Sequence, residues 1–197
     1  MDNVALALRG ARIGTAGKIK DVRADHVYRY RWAAERLSGH VIDAGCNCGY
    51  GAAILADAGL SVTALDVWAE GLEFARLTWD RPAIAWRQAD FEEVLLDLPA
   101  CDGVVAFEIV EHLERPEHLL RMTRAVSPRL LLSVPNEAVW PWQPRMAPVH
   151  HRHYTRGELG ALLSSCGWTV AKWWGQKGPY APVEASVNGT TLVVECC

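Results

Sequence analysis

The sequence predicts a single α/β domain with a mostly parallel central sheet, helices on both faces and an antiparallel pair of strands at one edge. Three observations carry that prediction. From His40 onward, apolar runs of strand length alternate with segments of helical spacing. The first run ends in a glycine-rich turn and the second in an acid, as in a βαβ unit that holds a nucleotide-like ligand. The last two runs, Trp168–Trp174 and Thr190–Glu195, have no helical crossover between them, so they pair antiparallel.

The elements follow in order. His26–Leu37 spaces Tyr30, Ala33, Ala34 and Leu37 as a helix does and enters the first strand through Ser38 and Gly39. Val41 and Ile42 form that strand, Gly45, Gly49 and Gly51 permit a tight turn and close backbone approach, and Ala52–Ala58 is helical. Val62–Leu65 is the second strand and ends in Asp66. Helices are expected at Ala69–Trp79, Arg115–Val126 and Thr155–Cys166. The last opens on a Thr155/Glu158 capping box and stops at Gly167.

The turn itself reads Asp43-Ala-Gly45-Cys46-Asn47-Cys-Gly49. A dinucleotide fingerprint would need glycine where Asn47 and Tyr50 stand, which disfavours NAD. The segment instead resembles the D-x-G-x-G-x-G motif of class I S-adenosylmethionine-dependent methyltransferases. Asn47 replaces the middle glycine, and asparagine tolerates left-handed backbone well. Three later segments extend the resemblance: Ala83–Asp90 as a third strand ending in an acid, Asp102–Leu113 as a fourth strand with its acidic loop, and Leu130–Asn136 as a fifth strand and exit. In motif style the chain is similar to the small single-domain enzymes carrying E-x-x-E-H and S-V-P-N.

That resemblance implies a Rossmann-like class I methyltransferase fold and S-adenosylmethionine as cofactor. It places Arg29 and Tyr30 over the methionine end, and Asp43, Gly45, Cys46, Asn47 and Gly49 in the cofactor loop. Asp66 and Val67 fall at the ribose, Asp90 and Phe91 at the adenine, and Glu108 beside the cofactor.

Bulk properties agree with one domain. A chain of 197 residues, half of them hydrophobic, can bury a full core. Residues 1–25, with Arg9, Arg12, Lys18, Lys20 and Arg23 among glycines, are expected to form a flexible basic leader, and residues 26–197 the methyltransferase domain. The apolar runs are far shorter than the roughly 20 residues that span a bilayer, so a cytoplasmic protein without a membrane partner is expected. Six cysteines without C-x-x-C spacing read as reduced thiols, and His26, His40 and His118 as surface residues. Nothing in the pattern indicates an oligomeric state.

Two loops stand outside the elements. Pro135–His153, rich in proline and tryptophan, leaves the fifth strand at its carboxyl end and reads as a substrate lid. Gly175–Gly189 reads either as a hairpin loop over the same face or as a flexible connection. Methyl transfer from a sulfonium needs mainly alignment of donor and acceptor, but a hydroxyl acceptor must also lose its proton. On a helical turn Glu108, Glu111 and His112 would project from one side, and His151 or His153 of the lid would complete a site for Mg²⁺ or Mn²⁺. E-x-x-E-H resembles the metal motif of ubiquinone-pathway O-methyltransferases and small-RNA 2′-O-methyltransferases. Glu111, His112 and His153 are therefore the expected catalytic residues.

The favoured reading is O-methylation of a small molecule or sugar. A metal-assisted methyltransferase acting on an RNA or DNA end is the alternative, drawn from that motif, the basic leader, Arg152 and Arg156, and opposed by the net charge of −3. A non-catalytic, cofactor-binding regulatory module is the third reading, motivated by Asn47.

Overall fold

The structure, a computed structural model, describes residues 16–90 and 98–197. In chain order the elements are α1 (Ala24–Ala34), β1 (His40–Ala44), α2 (Tyr50–Asp57), β2 (Ser61–Asp66), α3 (Ala69–Thr78), β3 (Ile84–Gln88), β4 (Gly103–Phe107), α4 (Pro116–Val126), β5 (Leu130–Pro135), α5 (Arg156–Ser165), β6 (Val170–Gln176) and β7 (Thr191–Cys196). They form a seven-stranded sheet in the order β3-β2-β1-β4-β5-β7-β6. Pairing is parallel from β3 to β5, and β7 runs antiparallel to both β5 and β6. The sheet order reverses between β1 and β4, and ligands of open α/β sheets bind at such a point, outside the carboxyl ends of the strands.

Strand side chains alternate between two cores. Val41, Val62, Val105, Leu131 and Val193 face α1, α2 and α3, where they meet Ala33, Leu55 and Leu72. Ile42, Leu65, Val104, Leu132 and Val194 face α4 and α5, where they meet Leu119, Leu120, Leu159 and Leu163. The central strands β1, β4 and β5 are buried on both faces, which is why they read as unbroken apolar runs.

Local signals set the helix ends. Pro116 opens α4 at a position where its missing N–H costs nothing. Thr155 caps α5: its hydroxyl accepts from Glu158 N at 3.3 Å, and Glu158 Oε2 accepts from Thr155 N at 2.8 Å. Gly167 follows the last turn of α5.

The start of the domain differs from expectation. α1 begins at Ala24, inside the segment expected to be leader, and Ala16 and Val22 already belong to the core. Asp25 anchors this first turn by accepting from Arg23 Nε at 2.8 Å. The other leader residues, 1–15, lie outside the described residues. His26, expected at the surface, is buried with Nδ1 at 2.8 Å from the Tyr50 hydroxyl, because its helix packs that face on α2. No helix among the described residues is long and apolar enough to cross a membrane.

Both loops are folded onto the carboxyl end of the sheet. The ends of the lid are clamped where Asn136 bridges Tyr154 and Glu137 N donates to Tyr154 O at 3.0 Å. Residues 175–189 are packed: Gly175 and Glu184 exchange two backbone hydrogen bonds of 2.9 Å, and the Asn136 amide donates to Val187 O and Gly189 O.

Candidate active site

The β1–α2 turn has its shape because three residues take the left-handed region: Gly45 (φ 78°), Asn47 (φ 51°) and Gly49 (φ 86°). Asn47 thus does the work of the glycine it replaces. Gly45 N and Cys46 N both donate to Leu65 O, at 2.8 and 2.9 Å, which ties the turn to β2. Asp66 at the end of β2 completes the tie, with Oδ2 accepting from Asn47 N at 2.7 Å and Oδ1 from Trp68 N at 2.9 Å.

The Cys46 thiol is in the core, its backbone N–H donates to Leu65 O of β2, and its carbonyl accepts from Gly49 N at 2.9 Å within the turn. These bonds help to shape the turn. Val67 is about half exposed beside Asp66, and Asp90 is half-buried just after β3. Phe91 lies outside the described residues.

Beneath the turn, Tyr30 donates its hydroxyl to Asp43 Oδ1 at 2.9 Å and packs edge-on against Tyr50 and Phe107. Asp43 is fully buried, and its Oδ2 has no hydrogen-bond partner among the described residues. Burial lifts Asp43 to about 7, helped by the Asp66 charge and opposed by the Tyr30 hydrogen bond. Arg29 is also fully buried; Nη1 donates to Gln176 Oε1 at 2.8 Å and stands 3.7 Å from Glu108 Oε1.

The expected one-sided turn of Glu108, Glu111 and His112 does not form. Val110–His112 is only a single 3₁₀ turn, and Glu108 precedes it with φ at 53°. The Glu108 carboxylate consequently turns to Ser133, whose hydroxyl donates to Oε1 at 2.8 Å. The potential ligand atoms of Glu111, His112 and His150 instead lie within 4.8 Å of one another. Among the described residues this is the one such cluster, and it contains neither Glu108, His151 nor His153. His151 is exposed and joins the site only by its backbone, N donating to Glu111 O at 2.8 Å.

His153 acts one step further out. Its Nδ1 lies 2.8 Å from Trp140 O, and since a carbonyl only accepts, Nδ1 carries the proton. For neutral rings Nε2 then accepts from His150 Nδ1 at 2.8 Å, which leaves His150 Nε2 as its acceptor nitrogen. His112 Nδ1 donates in the same way to Val149 O at 3.1 Å. Burial, then the His112 and His153 rings, push His150 down to about 3. Glu111 is fully buried with both carboxylate oxygens unpartnered among the described residues; burial, then the Glu108 charge, push it well above the usual carboxylate range.

Comparison with known proteins gives the family. The model of a family described as "Methyltransferase domain" matches residues 42–129, which run from β1 to just before β5. The "Probable S-adenosylmethionine-dependent methyltransferase" of Mycolicibacterium smegmatis is 31% identical over 151 residues, covering 74% of this chain and 58% of that protein. The chain belongs to the class I S-adenosylmethionine-dependent methyltransferases.

A ubiquinone biosynthesis O-methyltransferase of Methylocella silvestris is 27% identical over 162 residues, covering 73% of this chain and 63% of its own. This methyltransferase chain therefore spans just over half the length of the curated relatives it matches first. In fold it is similar to a methyltransferase solved with the Haloferax volcanii Trm112 methyltransferase activator, with a TM-score of 0.76, 18% identity and coverage of 100% and 97% of the two chains. Three residues of the candidate site are absent from the ligand and cofactor set expected from the sequence. Ser133 and His150 stand in segments already singled out, whereas Gln176 ends an edge strand and no sequence signal marks it.

Proposed function

We propose that this methyltransferase binds S-adenosylmethionine in the β1–α2 turn and methylates a hydroxyl oxygen of a small molecule or sugar under the 135–153 lid. The observation that carries the oxygen acceptor is Glu111, a buried unpartnered carboxyl beside two imidazoles. A hydroxyl needs help in losing its proton, and such a set provides it. Similarity to an O-methyltransferase supports the same acceptor atom.

The cofactor supplies a methyl group already activated on a sulfonium. The chain's part is to hold it, and the buried polar atoms without partners fit its amino-acid end: Arg29 Nε and Nη2 suit a carboxylate, and Asp43 Oδ2 suits an ammonium. Asp66 and Val67 would hold the ribose and Asp90 the adenine amino group, and Tyr30 keeps Asp43 in place. On the acceptor side, one carboxylate and two imidazoles fit a divalent ion, Mn²⁺ better than the oxygen-preferring Mg²⁺. Such an ion would lower the pKa of a coordinated hydroxyl. Pushed down to about 3, His150 is a feeble general base, which favours a ligand role for it. Ionised, Glu111 either ligates that ion or takes the hydroxyl proton, and both roles need its negative charge.

The test is mass spectrometry of phenol, sugar and nucleic-acid acceptors incubated with the protein and methyl-labelled cofactor. Label on the oxygen of a small molecule is expected. Label on nitrogen, carbon or nucleic acid, or cofactor binding without any transfer, would overturn the reading.

Two binding results are expected. Asp66→Ala should weaken S-adenosylhomocysteine binding by about 1 to 3 kcal/mol in calorimetry, since it removes charge-assisted hydrogen bonds and loosens the turn at Asn47. Binding should also depend on pH through Asp43. Its folded pKa is raised to about 7, so the protonated form is favoured by folding; that contribution is full below the unfolded value near 4 and lost as pH rises through about 7. An incoming ammonium reverses the preference. Affinity for S-adenosylhomocysteine should therefore fall as pH drops from 8 to 6, with proton release seen in buffers of different ionisation enthalpy, and Asp43→Asn should flatten the profile.

A further inference from the structure

Arg29 is a fully buried guanidinium with five N–H donors, of which one is hydrogen-bonded among the described residues. Glu108 Oε1 at 3.7 Å and Asp25 Oδ2 at 3.9 Å are too distant for hydrogen bonds, and Nε and Nη2 have no partner among the described residues. A buried cation left in this condition is costly unless a ligand completes it. The acceptor of that hydrogen bond is Gln176, which lies outside the residues that the family model matches.

The orientation of Gln176 is dictated by its surroundings. Nε2 lies 3.0 Å from Asp25 O and 2.9 Å from Ala181 O, and two carbonyls can only accept, so Nε2 is the amide nitrogen. Oε1 then faces Arg29 Nη1 at 2.8 Å. A glutamate here would turn a carboxylate oxygen toward those carbonyls and would neutralise Arg29. A glutamine holds the guanidinium without adding a third carboxylate to Asp25 and Glu108, and leaves the Nε and Nη2 donors for another anion. The same amide bonds fasten α1 and the loop after β6 to one side chain.

We infer that Gln176 is the positioning residue that holds Arg29 for the carboxylate at the amino-acid end of the cofactor, so that the loop after β6 takes part in cofactor selection. The inference rests on the reading of Arg29 given above. It predicts a specific sensitivity to the ligand carboxylate, which a residue serving only packing would not show.

The experiment compares S-adenosylmethionine with its decarboxylated form, which lacks only that carboxylate, by calorimetry on the full chain. Wild type should prefer the complete cofactor. Gln176→Met should weaken S-adenosylmethionine about tenfold, the share of one charge-assisted contact, and the decarboxylated ligand less than about twofold. Gln176→Glu should weaken S-adenosylmethionine further, because its carboxylate pairs with Arg29 and repels the ligand, while sparing the decarboxylated form. If Gln176→Met fails to fold, as judged by its thermal midpoint, the preference of Gln176→Glu decides alone. Equal weakening of both ligands would overturn the inference. So would loss of the preference in Arg29→Met with its full retention in the Gln176 variants, an outcome that leaves the reading of Arg29 intact. A wild type that does not distinguish the two ligands would refute the reading of Arg29 itself.

Discussion

Replacing Glu111 with glutamine is expected to lower turnover about a hundredfold or more, about 2.7 kcal/mol in the barrier, while S-adenosylhomocysteine affinity stays within about twofold. The separation follows from position. Glu111 is on the 3₁₀ turn after β4 with His112, close to His150 of the lid, whereas Asp43, Asp66 and the β1–α2 turn make the proposed cofactor contacts. Glutamine keeps the size of the side chain and suits the buried site, since burial already disfavours the charged form of Glu111. What disappears is the capacity to carry negative charge. Steady-state kinetics before and after chelation, with Mn²⁺ added back, separate its two roles. Loss on chelation with recovery in Mn²⁺ assigns Glu111 to an ion site, and chelator-resistant activity that still collapses in the variant assigns it to proton removal. An unimpaired variant would remove Glu111 from the chemistry.

The largest expected effect on folding comes from Gly51→Ala. Helix propensity alone favours the change by about 1 kcal/mol, because Gly51 is the second residue of α2. Sterics oppose it, since an added Cβ would stand 2.0 Å from Tyr30 Cζ. The ring has no room to withdraw: its hydroxyl is held by Asp43, and Tyr50 and Phe107 meet it edge-on at centroid distances of 5.7 and 5.2 Å. Overpacking of this kind costs about 1 to 3 kcal/mol or more, so a fall of several degrees in the thermal midpoint is expected. Cofactor affinity should fall with it, through displacement of Tyr30 from Asp43. A shrunken ring pocket should restore stability, so Tyr30→Leu combined with Gly51→Ala should be less destabilised than the sum of the two. A midpoint that rises in Gly51→Ala would contradict the packing described.

The two halves of the site were not equally legible. The cofactor side is local: the turn between β1 and α2, the acid ending β2 and the acid after β3 recur at short spacings set by strand and turn geometry. The sequence misleads where one residue's environment decides its conformation. The spacing of Glu108, Glu111 and His112 suits a helix, but Glu108 takes a positive φ and its side chain is drawn to Ser133 and Arg29. Spacing along the chain carries no information about that competition.

By itself, then, the sequence determined the alternating strands and helices, the antiparallel edge pair, the left-handed turn through Asn47 and the family, because period-2 and period-3.6 burial and turn chemistry act between near neighbours. Only the tertiary structure decided that His150 and not His151 joins Glu111 and His112, that His26 is buried, and that Gln176 reaches Arg29 across 147 positions of chain. Those outcomes depend on how loops of irregular backbone fold over the sheet, where packing and the pairing of buried polar groups between distant segments choose the rotamer, and no local pattern encodes that choice.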